Sequence, residues 1–156
     1  MTQKLVLIDT NILVYLTNPQ SNFRAAAQEA VKQEIREGAK LYVTMQILRE
    51  YAKVMTGAKD PLTGKLYSNI KATLEAIRQF RHNMSVIGDD PQSFDKWLDV
   101  VEKYDVHGRS VFDAQIAAQM LQNSITHILT NDERFARYSD ILTIIPLDFP
   151  LGAATP

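Results

Sequence analysis

The chain has 156 residues, 46% of them hydrophobic and 22% charged, which is typical of one compact domain. Because it has no cysteine, it can form neither a disulfide nor a zinc–thiolate site. No apolar run approaches the roughly 20 residues of a membrane span and no signal-peptide pattern follows Met1, so we expect a cytoplasmic protein. The net charge of −1 excludes a general attraction to nucleic acid, which would require a local basic patch or metal ions.

The first predicted strand is the continuous apolar run at residues 5–8, which ends in Asp9-Thr10-Asn11. Such a run is typical of a parallel strand that is covered on both faces. Asp9 then lies at the carboxyl end of a central strand, where open α/β sheets bind their ligands. It is equally placed to cap the next helix, predicted over residues 12–16, and this stretch alone leaves both interpretations open.

Helices and short strands alternate through the rest of the chain. Apolar spacing predicts helices over residues 22–37, 45–55, 68–82 and 110–121, a further helix that starts at residue 91 and extends at least to 101, and strands over residues 41–43, 85–87, 125–130 and 142–145. The alternation predicts an α/β fold with a mostly parallel sheet and helices on both of its faces. We expect a single domain over residues 1–147 and a weakly ordered tail over residues 148–156.

The same spacing predicts which helix faces are buried and where helices begin. Gly38 should follow a helix end, and Thr44, Ser68 and Asp90 should cap helix starts. The loop at residues 57–65 resembles a phosphate-binding loop only superficially, because the glycine spacing is wrong and Leu66 replaces Ser or Thr. The expected inward side chains are Ala27, Ala30, Val31, Ile35, Met45, Leu48, Ala52, Met55, Ile70, Leu74, Ile77, Phe94, Trp97, Leu98 and Val101.

Four acids far apart in sequence are predicted to meet at one edge of the sheet. Asp9 and Asp132 follow strands, and Asp113 and Glu50 lie early in helices that begin at that edge. Mg²⁺ and Mn²⁺ prefer such hard oxygen ligands, and these ions assist the hydrolysis of phosphodiesters. Structural interpretations remain: Ser110 with Asp113 and Thr130 with Glu133 could form capping boxes, and Glu50 could be a surface charge.

Taken together, these segments resemble the PIN-domain ribonucleases, most closely the VapC-type toxins of toxin–antitoxin pairs. The resemblance rests on Asp9-Thr10-Asn11 after the first strand, Glu50, the helix containing Phe112-Asp113-Ala114, and Thr130-Asn131-Asp132 before Phe135. It implies a three-layer α/β/α sandwich whose sheet has the strand order 3-2-1-4-5. Asp9 would then lie beside Asp132.

The resemblance also implies roles for individual residues. Asp9 and Asp113 would bind Mg²⁺ or Mn²⁺, Glu50 would complete the coordination directly or through water, and Asp132 would assist. Hydrogen bonds from Thr10, Asn11 and Thr130 would support these acids. Beyond the resemblance, Arg109 and Arg134 lie near the acids and could contact an RNA phosphate, although neutralisation of the acids is the more ordinary role.

The implied function is a metal-dependent endoribonuclease, the toxin of a type II pair, with a cognate antitoxin that blocks the acidic groove and a homodimeric state expected from the family. The alternatives are an inactive PIN-like module that binds RNA or protein, and a PIN nuclease of RNA processing. A haloacid-dehalogenase-type phosphatase is disfavoured because Asn11 stands where a second Asp is needed. A receiver domain is disfavoured because no lysine follows the last strand. As a separate point, His107 is expected to be a loop residue.

Overall fold

The structure, a computed structural model, describes residues 2–148. The strands are β1 (Leu5–Ile8), β2 (Lys40–Thr44), β3 (Ser85–Ile87), β4 (His127–Leu129) and β5 (Thr143–Ile145). The helices are α1 (Thr10–Thr17), α2 (Arg24–Arg36), α3 (Met45–Gly57), α4 (Ile70–Asn83), α5 (Pro91–Lys103) and α6 (Ser110–Gln122), and a short 3₁₀ helix covers Glu133–Tyr138.

The five strands form one parallel sheet in the order β3-β2-β1-β4-β5, which confirms the predicted fold class and strand order. β1 is central and pairs with β2 through Val6 and Leu41, and with β4 through Leu7 and Ile128. The chain moves from β1 toward β3 and then returns to β4 on the other side of β1. The carboxyl ends of β1 and β4 therefore flank the point where the strand order reverses, which is the usual ligand position of such sheets.

Helices cover both faces of the sheet because parallel crossovers are right-handed. Connections that run toward β3 place α1 to α4 on one face, and the connection that returns to β4 places α5 and α6 on the other. The contacts agree with this division, since α1 packs on α2 and α3, α3 packs on α4, and α5 packs on α6. The architecture is therefore a three-layer α/β/α sandwich.

β1 and α6 contribute many of the fully buried core residues. Val6, Leu7 and Ile8 are fully buried, as the apolar run predicted. In α6 the alanines 114, 117 and 118 are fully buried too. Asp9 directly follows β1 and Asp113 lies in the first turn of α6, so both acids are attached to well-packed elements of the core.

Several predicted buried faces are wrong. In α4, Ile70 is 58% and Leu74 40% exposed, because α4 packs on α3 and β3 at the edge of the sheet and only a narrow strip with Phe80 is covered. In α5, Phe94 is 59% exposed, because α5 packs on α6 instead of on the sheet. Leu98, Met45 and Ile35 are also exposed.

The observed helix starts correct two further predictions. Asn69, not Ser68, caps α4 by accepting a hydrogen bond from the Ala72 amide at 2.8 Å. Neither proposed capping box forms: α6 begins after Arg109 without a side-chain cap, and Asp132 instead caps the 3₁₀ helix. The predicted positions of Gly38, Thr44 and Asp90 are confirmed, with Gly38 at a φ of +80° one residue beyond Glu37, the C-cap of α2.

Element boundaries differ by up to a few residues from those predicted; β4, for example, covers His127–Leu129 instead of residues 125–130. No helix within residues 2–148 is both long and apolar enough to cross a membrane. The predicted tail lies outside the described residues except for Asp148, and the domain limit at residue 147 stays a prediction.

The start of α5 provides a test of the capping assignment. Asp90 accepts a hydrogen bond from the Ser93 amide at 2.7 Å, and the Asp90 amide donates to the Ser93 hydroxyl at 3.1 Å. We expect Asp90→Ala to lower the free energy of unfolding by about 1 kcal/mol, since an amide loses its acceptor. Urea denaturation measures the change. Asp95→Ala, on the exposed side of the same helix, should leave stability nearly unchanged, and equal losses in both variants would contradict the assignment.

Candidate functional site

Asp9 lies at the carboxyl end of β1 and is almost completely buried, with 5% of the residue exposed. Its Oδ1 accepts a hydrogen bond from the Thr10 amide at 2.7 Å, so it does cap α1. Its Oδ2 accepts from the Thr130 hydroxyl at 2.7 Å and from Asn11 Nδ2 at 3.2 Å. The capping role and the position at a ligand-binding edge therefore coexist in one residue.

Side-chain hydrogen bonds join the ends of β1 and β4 beside Asp9. Asn11 Nδ2 also donates to the Thr130 hydroxyl at 3.2 Å, while Asn11 Oδ1 accepts from the Asn131 amide at 3.1 Å. The Asp132 amide donates to the same Thr130 hydroxyl at 3.0 Å. Asn11 and Thr130 thus hold Asp9 and the backbone of Asp132 in one network.

Glu50 reaches this edge from the second turn of α3. Its Oε2 accepts a hydrogen bond from the Thr10 hydroxyl at 3.2 Å, and its Oε1 accepts from Gln46 Nε2 at 2.7 Å. Gln46 Nε2 also donates to the Phe112 carbonyl at 3.1 Å, directly before Asp113. Gln46 therefore connects α3 to the start of α6 and keeps Glu50 on the same side as Asp113.

Asp113 lies in the first turn of α6 and is the acid with the least complete set of partners. Its Oδ2 is buried and accepts no hydrogen bond, although Arg134 Nη1 forms an ion pair with it at 3.4 Å. An ionised oxygen that is removed from water normally has two or more donors or a cation. Asp113 Oδ2 therefore has the Arg134 guanidinium as a cationic partner but no hydrogen bond, an incomplete set of partners that a bound cation would complete.

Asp132 follows β4 and is neutralised by Arg134, two residues later. Arg134 Nη2 lies 2.6 Å from Asp132 Oδ2, and Arg134 Nε donates to both carboxylate oxygens at 3.0 Å. The Arg134 amide donates to Asp132 Oδ1 at 3.0 Å as well. Such charge-assisted, forked contacts are among the stronger hydrogen bonds in proteins.

The acids differ in pKa because their surroundings differ. Burial raises the pKa of Asp9 to about 6 against the lowering effect of its hydrogen bonds from Thr130 and Thr10, and the nearby charges of Asp132 and Glu50 raise it further. Burial also raises the pKa of Asp113, partly offset by Arg134. Burial would raise the pKa of Asp132 too, but the hydrogen bonds and charge of Arg134 outweigh it and lower that pKa.

These side chains line a cleft of about 380 Å³. The structure brings together the four predicted acids, Thr10, Asn11 and Arg134 on its walls, with Thr130 behind Asp9. Arg109 is not among the described residues that line the cleft, and its side chain is exposed. His107 is an exposed loop residue that pairs with Asp105 at 3.0 Å.

Sequence reasoning missed the other wall of the cleft and Gln46. That wall is formed by Val14, Tyr15, Val54, Ala58 and Tyr67. Gln46 precedes Glu50 by one helical turn, a spacing at which side chains meet and which could have identified it. Tyr67 comes from the loop before α4, whose path depends on the Lys59–Leu66 backbone bridge, and no local pattern indicates this.

The donor atoms suit a divalent cation, but their present arrangement does not surround one. Within residues 2–148, no three His, Asp or Glu side chains stand in positions that could hold a metal ion. The chemistry nevertheless fits: four carboxylates provide hard oxygen donors, and the buried Asp113 Oδ2 lacks a hydrogen bond. In the structure as described, the positive charge beside Asp113 and Asp132 is the guanidinium of Arg134, which forms ion pairs with both.

Comparison with known proteins identifies the family. The family model of the PIN domain matches residues 6–141. The fold is similar to VapBC2 from Rickettsia felis bound to a promoter DNA fragment, with a TM-score of 0.68, 14% identity and coverage of 92% of this chain and 99% of that one. No curated protein matches the sequence.

Two further structures show the same similarity. VapC20 from Mycobacterium tuberculosis, described as a toxin that cleaves the sarcin–ricin loop, gives a TM-score of 0.65 at 14% identity over 84% of this chain and 92% of that one. VapBC-1 from nontypeable Haemophilus influenzae gives a TM-score of 0.62 at 21% identity, and the match covers 91% of this chain and 97% of that one. At these identities the comparison with solved structures establishes the fold.

The raised pKa of Asp9 predicts a measurable titration in the metal-free protein. The carboxyl carbon of Asp9, followed by ¹³C NMR, should titrate near the pKa of about 6, and that of Asp132 below the ordinary range. Because the folded protein holds the Asp9 proton more tightly than the unfolded chain, this stabilisation is present below about pH 4 and is lost as the pH rises through 6.

The free energy involved is on the order of 3 kcal/mol for a shift of this size. In the wild type, the free energy of unfolding should fall by about this amount between about pH 4 and pH 7 because of Asp9. Asp9→Asn should lack this decrease, and urea denaturation at each pH measures it. An Asp9 titration at the ordinary aspartate pKa, with an unchanged stability profile in the variant, would contradict the described environment.

Proposed function

The chain belongs to the PIN-domain family and has the fold of VapC-type toxins, and from this premise we propose that it is a metal-dependent endoribonuclease, the toxin of a type II toxin–antitoxin pair. The observation that carries the proposal is the convergence of Asp9, Glu50, Asp113 and Asp132 in one cleft. These acids come from four separate elements, so their meeting is not a consequence of neighbouring sequence positions. Mutual repulsion makes such a group costly unless a cation binds there.

In this proposal Asp9 and Asp113 hold Mg²⁺ or Mn²⁺, because one is fixed at the centre of the sheet and the other has an oxygen without a hydrogen bond. Glu50 completes the coordination directly or through a water molecule, and Asp132 assists from the end of β4. When bound, such an ion supplies Lewis-acid chemistry: it lowers the pKa of water and offsets the negative charge that develops on a phosphodiester.

The chain's own polar residues orient the acids. Asn11 and Thr130 fix both the carboxylate of Asp9 and the backbone of Asp132, and Thr10 fixes Glu50. These donors hold the carboxylates in fixed positions at the edge of the cleft. Preorganised ligands of this kind require little rearrangement when a cation and a phosphate enter.

RNA is the proposed substrate, and one similar structure supports this, since VapC20 is described as cleaving the sarcin–ricin loop. The alternative of an inactive binding module predicts retained RNA binding without cleavage. The alternative of an RNA-processing nuclease predicts cleavage without a cognate antitoxin. Each alternative therefore has a distinct experimental outcome.

We expect Asp9→Asn and Asp113→Asn to lower cleavage of an RNA pool at least roughly 100-fold while the protein stays folded, because each removes a charged cation ligand. The measurement is RNA cleavage with Mg²⁺ or Mn²⁺ and then with EDTA, which should abolish it. Asp95→Asn, an exposed acid on α5 remote from the cleft, serves as the matched control and should cleave normally.

Full activity in either site variant, or cleavage that persists in EDTA, would refute the assignment of these acids. Binding of RNA with no cleavage by the wild type under either metal would favour the inactive module. Circular dichroism of all variants separates loss of function from loss of fold.

A cognate antitoxin is the proposed protein partner, and the similar structures include toxin–antitoxin complexes. An apolar groove of about 820 Å³ between α3 and α4, which includes Met45, Leu74 and Ile77, is suited to the apolar face of a helix. Arg49 and Arg81 also line this groove and would pair with acidic residues of that helix. A homodimer is proposed as well, to be measured by light scattering.

We expect the small protein encoded beside this gene to co-purify with the wild type and to suppress its activity. Leu74→Glu should abolish co-purification, because it places a charge in the apolar groove. Leu62→Glu introduces the same charge in a fully exposed loop and should leave the complex intact. Equal retention by both variants would place the partner elsewhere, and absence of any partner would contradict the toxin assignment without affecting the nuclease.

A further inference from the structure

Arg134 occupies the acidic end of the cleft as a cation would. Its guanidinium contacts Asp132 through Nε and Nη2 and forms the ion pair with Asp113 through Nη1. It therefore bridges the end of β4 and the first turn of α6. Two of the four acids that converge in the cleft are neutralised by one side chain of the same protein.

The contacts of this guanidinium are confined to the site. Within residues 2–148, its hydrogen bonds and ion pairs are made with Asp132 and Asp113. The Arg134 side chain is 57% exposed, whereas those of Asp113 and Asp132 are each 19% exposed. The arginine side chain thus approaches the acids from the solvent side, whereas the acids are more deeply buried.

The same position explains why the carboxylates do not surround a metal ion as they stand. The Asp132 oxygens are engaged by the guanidinium, and Asp113 Oδ2 forms an ion pair with it at 3.4 Å. A dication among these acids would experience the repulsion of a fixed positive charge a few ångströms away. A bound dication therefore disfavours the present position of Arg134, and Arg134 in that position disfavours binding of the dication.

We propose that Arg134 is an intramolecular competitor of the divalent cation, which occupies the acidic end of the cleft in the metal-free protein and leaves Asp113 and Asp132 when the ion binds. This inference rests on the proposed function, since it assumes that these acids hold a metal. Its consequence is that the protein binds metal more weakly than its four carboxylates alone would. The chain thereby sets a threshold concentration of the ion below which the site stays closed by its own arginine.

The test is the affinity for Mn²⁺, measured by isothermal titration calorimetry without RNA. Arg134→Gln should bind Mn²⁺ on the order of tenfold more tightly than the wild type, because a forked, charge-assisted contact no longer has to break. Arg36→Gln is the matched control: Arg36 forms a comparable ion pair with Glu29 on α2, far from the cleft, and its loss should leave the affinity unchanged.

Arg134→Lys separates competition at the site from a general effect of charge. Lysine keeps the charge but cannot form the planar fork, so its affinity for Mn²⁺ should lie between those of the wild type and Arg134→Gln. In the wild type, the ¹H–¹⁵N resonance of Arg134 Nε, assigned by its absence in Arg134→Gln, should shift in step with added Mg²⁺.

Two kinds of failure are distinguishable. If the wild type binds Mn²⁺ and Asp113→Asn does not, but Arg134→Gln binds no more tightly or the Nε resonance does not move, only the competitor role is overturned. If neither the wild type nor Arg134→Gln binds Mn²⁺, or Asp113→Asn binds it as well as the wild type, the proposed metal site fails and this inference fails with it.

Discussion

The constraint on which the site depends is the burial of one carboxylate at the junction of two strands. Asp9 is held by the Thr10 amide, Asn11 and Thr130, and these same groups join the end of β1 to the end of β4. Burial opposes ionisation of Asp9, while the hydrogen bonds favour it. The result is an acid that is held in place and whose pKa, at about 6, lies above the ordinary aspartate value.

The remaining acids are arranged around this fixed point by three different means. Glu50 is directed by the hydroxyl of Thr10 and by Gln46, which also contacts the start of α6. Asp113 is carried by α6, whose alanines 114, 117 and 118 are fully buried in the core. Asp132 is held by its own helix start and by Arg134. Each acid thus has its own hydrogen-bond donors or cation, and no single neighbour compensates the charge of all four.

The fold was largely predictable because its main signals are local. The apolar run at β1, the alternation of helices with strands, and the cap at Asp90 each reflect interactions within a few residues. The buried faces of α4 and α5 were not predictable in this way. Ile70 and Phe94 follow helical spacing, yet both are exposed, because these helices pack on other helices and leave much of their apolar surface uncovered.

For the site, the sequence by itself determined the chemistry: four acids in contexts typical of the carboxyl ends of strands and the starts of helices, with small polar residues beside them. Only the tertiary structure decided the partners, since Arg134 meets Asp113 across 21 positions of sequence and Gln46 meets the Phe112 carbonyl across 66. It also left Arg109 outside the cleft. The physical reason is that side-chain type is encoded locally, whereas the distance between two charges depends on how the whole chain packs.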